Sequence, residues 1–141
     1  MSFSSVHNCI RNKFSEIIDA SSLIDIDQVA WDNARFRDRE VGDDEPWVSF
    51  HVLDGGSEQN GLGSVDIRAT GIALATVFVP IDRGDKIALE LADEIKDGFF
   101  STVHTYAGTR VLFRTPSVLT IGRDGIWWQV NVSCPYLTED A

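Results

Sequence analysis

Three histidines, His7, His51 and His104, and two cysteines, Cys9 and Cys134, are the side chains of this 141-residue chain best suited to chemistry near neutral pH. A bound transition metal would need three or four such groups converging, usually at short and regular spacings. Only Asp54, three residues after His51, approaches that pattern, and one spaced pair does not make a metal site. His7 and Cys9 fall together on a predicted helix, but nothing beside them completes a nucleophile–base set. The chain has no H-x-x-x-H, C-x-x-C, G-x-S-x-G or P-loop motif. DGGSEQNGLG at Asp54–Gly63 is glycine-rich, yet no lysine or helix follows directly, so it fits a phosphate cradle poorly. Asp82, Asp85, Asp93 and Asp97 read as solvated carboxylates on a turn and a helix. Neither an enzyme, nor a metal, nor a cofactor is expected, and both cysteines read as buried free thiols.

The elements around these residues follow from apolar spacing. Val6, Ile10, Phe14, Ile17 and Ile18 predict a first helix over Phe3–Ala20. Ile87, Leu91, Ile95 and Phe99, with Ala88 and Ala92 beside them, predict a second over Gly84–Phe99, with Gly98 near the end, where the helix frays or stops. Trp47–Leu53 alternates as a strand, with Val48, Phe50 and Val52 on one face and Trp47, Ser49 and His51 on the other. Ser64–Pro80 is its return partner. The apolar phase there changes from Val65 and Ile67 to Ile72 and Leu74, which predicts a bulge near Ala69–Gly71. Arg110–Ile121, interrupted by Pro116, and Ile126–Cys134 are expected to form a hairpin across Gly122–Gly125. Asp54–Gly63 reads as a flexible hairpin tip and the charge-dense Arg35–Glu45 as a mobile loop. The expected fold is one α+β domain, residues 1–141, in the order α-β-β-α-β-β. Two helices would pack as one layer on a mainly antiparallel sheet of about four main strands.

Charge narrows the function further. Lys and Arg number 12 against 22 Asp and Glu, a net charge of −10. Binding to a phosphate backbone depends on clustered cations, so it is not expected as the main task. No apolar run approaches the ~20 residues of a membrane helix, and no secretory signal is read. Adjacent Trp127 and Trp128 in a strand must point to opposite faces. One can enter the core, and the other would stand on a face with no helical layer, where tryptophan commonly marks an interface.

VAWDNARF at Val29–Phe36, PWVSFHVL at Pro46–Leu53, a strand ending VFVP at Pro80 followed by a glycine turn and ALELADEI, and a closing GIWWQVNVSCPY at Gly125–Tyr136 occur in an informative order. Together they resemble the tail terminators of long-tailed bacteriophages, of the lambda tail terminator kind. The resemblance implies a virion protein at the head-proximal end of the tail, assembled in the host cytoplasm. It implies a ring, commonly hexameric, that ends tube polymerisation and offers a head-joining surface. Partners would be other copies of the chain, the tail tube protein and the head–tail connector, with DNA passing through unbound and no membrane involved. The candidate contact residues are Arg35, Arg37, Arg39, Glu58, Gln59, Asn60, Arg110, Arg114, Trp127 and Trp128. Another neck or tail-completion protein fits the same motifs. A small ligand- or peptide-binding module, supported by Trp31, Trp47, Trp127, Trp128 and Tyr136, is the reading from a different class.

Overall fold

The computed structural model describes residues 3–32, 45–59, 67–82 and 84–140. Helix α1 is Phe3–Asp19 and α2 is Lys86–Phe99. The strands are β1 Val29–Trp31, β2 Trp47–Gln59, β3 Ile67–Pro80, β4 Val103–Tyr106, β5 Thr109–Phe113, β6 Ser117–Asp124 and β7 Trp127–Asp140. All seven belong to one sheet ordered β1-β2-β3-β7-β5-β4, with β6 also on β7.

This overturns the expected two-layer α+β fold with four main strands. Strand dominates the described residues, and the sheet curls into a half-barrel with two helices on it. Three strands account for the difference. β1 is only three residues and sits in what reads as a connection. It is set parallel to Val48–Phe50 of β2 because a 3-10 turn, Ile26–Gln28, aims it there. The Gln28 side chain accepts from the Asp25 N–H and donates to the Pro46 carbonyl at 2.6 Å, tying the turn to the start of β2. β4 is a four-residue strand made by a tight hairpin, in which Ala107 (φ 50) and Gly108 (φ 82) supply the two positive angles that match strand twist. The expected strand Arg110–Ile121 is two strands. Its break at Pro116 lets β5 pair the C-terminal half of β7 and β6 the N-terminal half, along one edge of β7.

β2 continues to Gln59, so Asp54–Gln59 is strand and not loop tip, while 60–63 lie outside the described residues. The bulge lies across the ladder from its expected place. Register shifts on β2 between Asp54 and Gly56, opposite Gly71 and Thr70, while β3 keeps one phase. Ala69, Ala73, Ala75, Val77 and Val79 are all buried, whereas Ile72 and Leu74 face the other way. Small side chains on the buried face of β3 concealed its true inward phase. Residues 35–44 of the charged run lie outside the described residues.

The core lies between the helices and the concave face of the sheet. Phe14 stacks on Phe50 with ring centroids 4.1 Å apart and meets Trp31 edge-on at 5.8 Å. Burying rings of this size contributes about 1.5–3 kcal/mol each. α1 covers β4 and β5, α2 covers β7 and β3, and the two helices touch. The stripe of α2 is Ala88, Leu91, Ala92, Ile95 and Phe99, while Ile87 stands 49% exposed. The helix stops one residue past Gly98, as expected, and Gly98 also seats α1, since a Cβ there would come within 2.6 Å of Ile17 Cγ1.

Candidate assembly surfaces

Each histidine is held by a neighbour from another element. His7 on α1 meets Asp54 at 2.9 Å. His104 on β4 meets Asn12 of α1 at 2.7 Å. His51 pairs with Asp32, whose second oxygen accepts the Val52 N–H at 3.0 Å. Burial pushes the Asp32 carboxyl up, but hydrogen bonds from His51 and Val52, with the charges of His51 and Arg11, hold it below its ordinary value. Tyr136 donates to Asp54 at 3.3 Å, and its ring lies over Gly71, where any side chain would collide with it. Burial first, then the Asp54 charge, drive the phenol's pKa well upward. These groups tie α1, β2 and β7 together at the β2 bulge.

Both thiols are buried and free. Burial pushes Cys134 up to about 12 and raises Cys9 as well, so both stay protonated and weakly nucleophilic. Among the described residues no three His, Cys, Asp or Glu side chains gather as a metal site. No described helix is long and apolar enough to cross a membrane.

The tryptophan pair splits as its alternation requires. Trp128 lies opposite Val79 on the concave face and packs on the core, its indole N–H buried without an acceptor among the described residues. It borders a recess of about 260 Å³ with Pro80, Asp82, Asp85 and Arg123. Trp127 is on the convex face, where it meets Trp47 edge-on at 6.0 Å, and Trp47 stacks on Phe78 at 3.9 Å. These three rings occupy one end of that face. Farther along it is polar, with Thr76 donating to Asn131 at 2.8 Å, so it is aromatic over part of its length only.

Arg110 is an exposed residue of β5 opposite Thr105, and its carbonyl accepts the buried Thr138 hydroxyl at 3.0 Å. Arg114 is exposed just past β5, its N–H donating to the Pro135 carbonyl at 2.9 Å. β5 pairs Leu137 while Trp127 starts β7, ten residues away, so the arginines and Trp127 are separated by roughly 33 Å of strand. Glu58 and Gln59 lie in β2 opposite Arg68 and Ile67. Arg35, Arg37, Arg39 and Asn60 lie outside the described residues. The candidate residues therefore do not form one patch. Sequence reading missed the Asp54–Tyr136–His7 group, although the Gly71-to-Tyr136 closeness leaves no sequence signal short of strand pairing.

The exposed apolar residues have a distinct distribution. β6 carries Val118 (38%), Leu119 (62%) and Ile121 (50%), with Ile126 beside it in the turn. At the far side of the sheet the exposed apolar side chains of β2 and β3 are Leu53 and Ile72. Exposed apolar strand residues of this kind are the chemistry that protein contacts use.

No curated protein sequence matches the chain. One solved structure, 19% identical, superposes with a TM-score of 0.77 over 100% of this chain and 98% of its own, which establishes the shared fold. The model of the phage tail terminator protein family matches residues 10–136. The match spans nearly everything from mid-α1 to Tyr136, and the chain belongs to the phage tail terminator family, a structural component of the phage tail.

Proposed function

We propose that the protein assembles as a closed ring on the head-proximal end of the tail tube, ends tube polymerisation there, and presents the surface to which the head connector joins. It performs no catalysis. The observation that carries the reading is the exposed apolar β6 strand, uncharged over Ser117–Gly122, in a family of tail structural proteins. A ring needs one surface that meets a different surface of the next copy, with a rotation that closes. Six copies is the number expected by likeness to the lambda-type terminators. DNA must pass such a ring without sticking. A net charge of −10 favours that, because a bore lined with Lys or Arg would hold phosphates. The bore is accordingly acidic or neutral, with basic residues such as Arg110 and Arg114 at subunit or partner contacts.

Electron microscopy of the purified protein, alone and mixed with tail tubes, tests the ring directly. Rings alone or capping one tube end are the expected result. Deleting the gene in its phage should give tails of uncontrolled length or tails that never join heads. Normal infectious particles from the deletion would overturn the reading.

A further inference from the structure

We infer that the free edge of β6 is a subunit contact, taking an extended strand of a second copy of this chain by backbone pairing. The inference rests on the self-assembly proposed above and names where it occurs. Among the described strands β6 pairs β7 alone, so its other edge presents a row of N–H and C=O groups over Ser117–Asp124. Unprotected edges of this kind pair with other strands, and proteins that avoid such pairing place charge, proline, a bulge or extreme shortness there. Over Ser117–Thr120 β6 has none of these, and its one bulge, at Ile121, falls past that run. Pro116 precedes the strand, Ser117–Gly122 holds no charged residue, and the bulge at Ile121 exposes another apolar side chain.

Charge identifies the occupant. Two copies of a chain with a net charge of −10 repel each other overall, and a stretch free of carboxylates lets their backbones approach with the least repulsion. Ser117–Gly122 is such a stretch. The opposite side of the sheet carries Asp32 and Asp54, and a basic partner would be drawn there instead. The side chains fit the same occupant. Val118 shares a face with Val132, and Leu119 shares the convex face with Asn131, so an added strand gains apolar cover on both faces.

Hydrogen exchange on the full chain, free and assembled, reads the backbone directly. Alternate amides of Ser117–Asp124 should exchange quickly in the free subunit, and the same amides should become slow on assembly. Leu119→Lys, on a side chain already exposed, should raise the half-assembly concentration about tenfold or more with its thermal melt unchanged. Ile87→Lys, on the exposed flank of α2, is the control that should assemble as the parent does. If the parent assembles and both Leu119→Lys and the β6 exchange pattern are unaffected, the edge contact is overturned and the ring survives. If the parent forms only a dimer that Leu119→Lys dissolves, the contact stands and the ring is overturned. A parent that stays monomeric at every concentration and on tubes overturns both.

Discussion

The two sides of this sheet treat their exposed backbone in opposite ways. On one side β1 is three residues long, and just past it the Asp32 carboxylate accepts the Val52 N–H and engages His51. Beyond that, β2 bulges at Gly55 and its ladder changes register. Shortness and a carboxylate are each means of refusing an added strand, and the bulge adds to them. On the other side β6 runs for eight residues with apolar side chains exposed on both faces, and its own bulge comes only at Ile121, past an uncharged run. One chain therefore protects one edge by shortness and a carboxylate and leaves the middle of the other open. The contrast separates an edge shaped to stay single from one shaped to be met.

The largest expected effect comes from the packing that holds the protected side in place. Gly71 lies opposite the bulge, with the Leu53 carbonyl on one side and the Tyr136 ring on the other. Gly71→Val should push Tyr136 off Asp54, release His7 on α1 and cost about 3 kcal/mol, since overpacked backbone has little room to give. A urea unfolding midpoint measures it. Unchanged stability would mean that the bulge does not depend on this close approach.

Several of the elements that carry this contrast were readable in the sequence, and what was not has physical reasons. The two helices, the β2–β3 hairpin and the β6–β7 hairpin follow from apolar periodicity, which reports burial on one face. Periodicity is silent where burial is shared. Val29–Trp31 is too short to show a period, and β3 fills its inward face with Ala69, Ala73 and Ala75, so Ile72 and Leu74 drew the phase outward. Val103–Tyr106 has no apolar alternation, and its pairing comes from the turn at Ala107–Gly108. Pro116 did signal a break, but only strand pairing shows that the break divides one edge of β7 between two strands. Of the candidate contacts, Trp127 on the convex face could be read from alternation up to a choice of two. Arg110 and Arg114 lie far from Trp127 because they sit against the C-terminal half of β7, whereas Trp127 begins that strand.

A smaller effect should follow from removing the carboxylate at the protected edge. Asp32→Ala strands the Val52 N–H and leaves His51 without its partner, at a cost of about 1–2 kcal/mol. The pH dependence has a definite sign. The folded pKa of Asp32 is depressed, so its contribution is fully present above the unfolded value of about 3.9 and disappears as pH falls through the lower folded value. Parent and variant should differ by a constant amount above about pH 4 and converge in stronger acid. The variant should also gain self-association through the newly bared edge, seen as a mass increase in light scattering. Equal stability at pH 7 with no added association would remove the carboxylate from the list of protecting devices.

The smallest effect locates the open edge's contact along its length. Arg123, near the end of β6, holds Asp82 at 2.7 Å on the exposed surface. Such pairs contribute about 0–1 kcal/mol and weaken with salt, so Arg123→Ala should shift stability by no more than about 0.5 kcal/mol. If the apolar run Val118–Ile121 makes the contact, assembly of Arg123→Ala should match the parent at low and moderate salt. The competing arrangement uses the charged end, with Arg123 leaving Asp82 to pair with a carboxylate of the next copy. Assembly would then fall in Arg123→Ala and in added salt to a similar degree, because both remove the same attraction. Leu119→Lys would have little effect under that arrangement, since its side chain would lie outside the contact. Measuring half-assembly concentration for both variants across a salt series decides between them, and the apolar run predicts loss in Leu119→Lys alone.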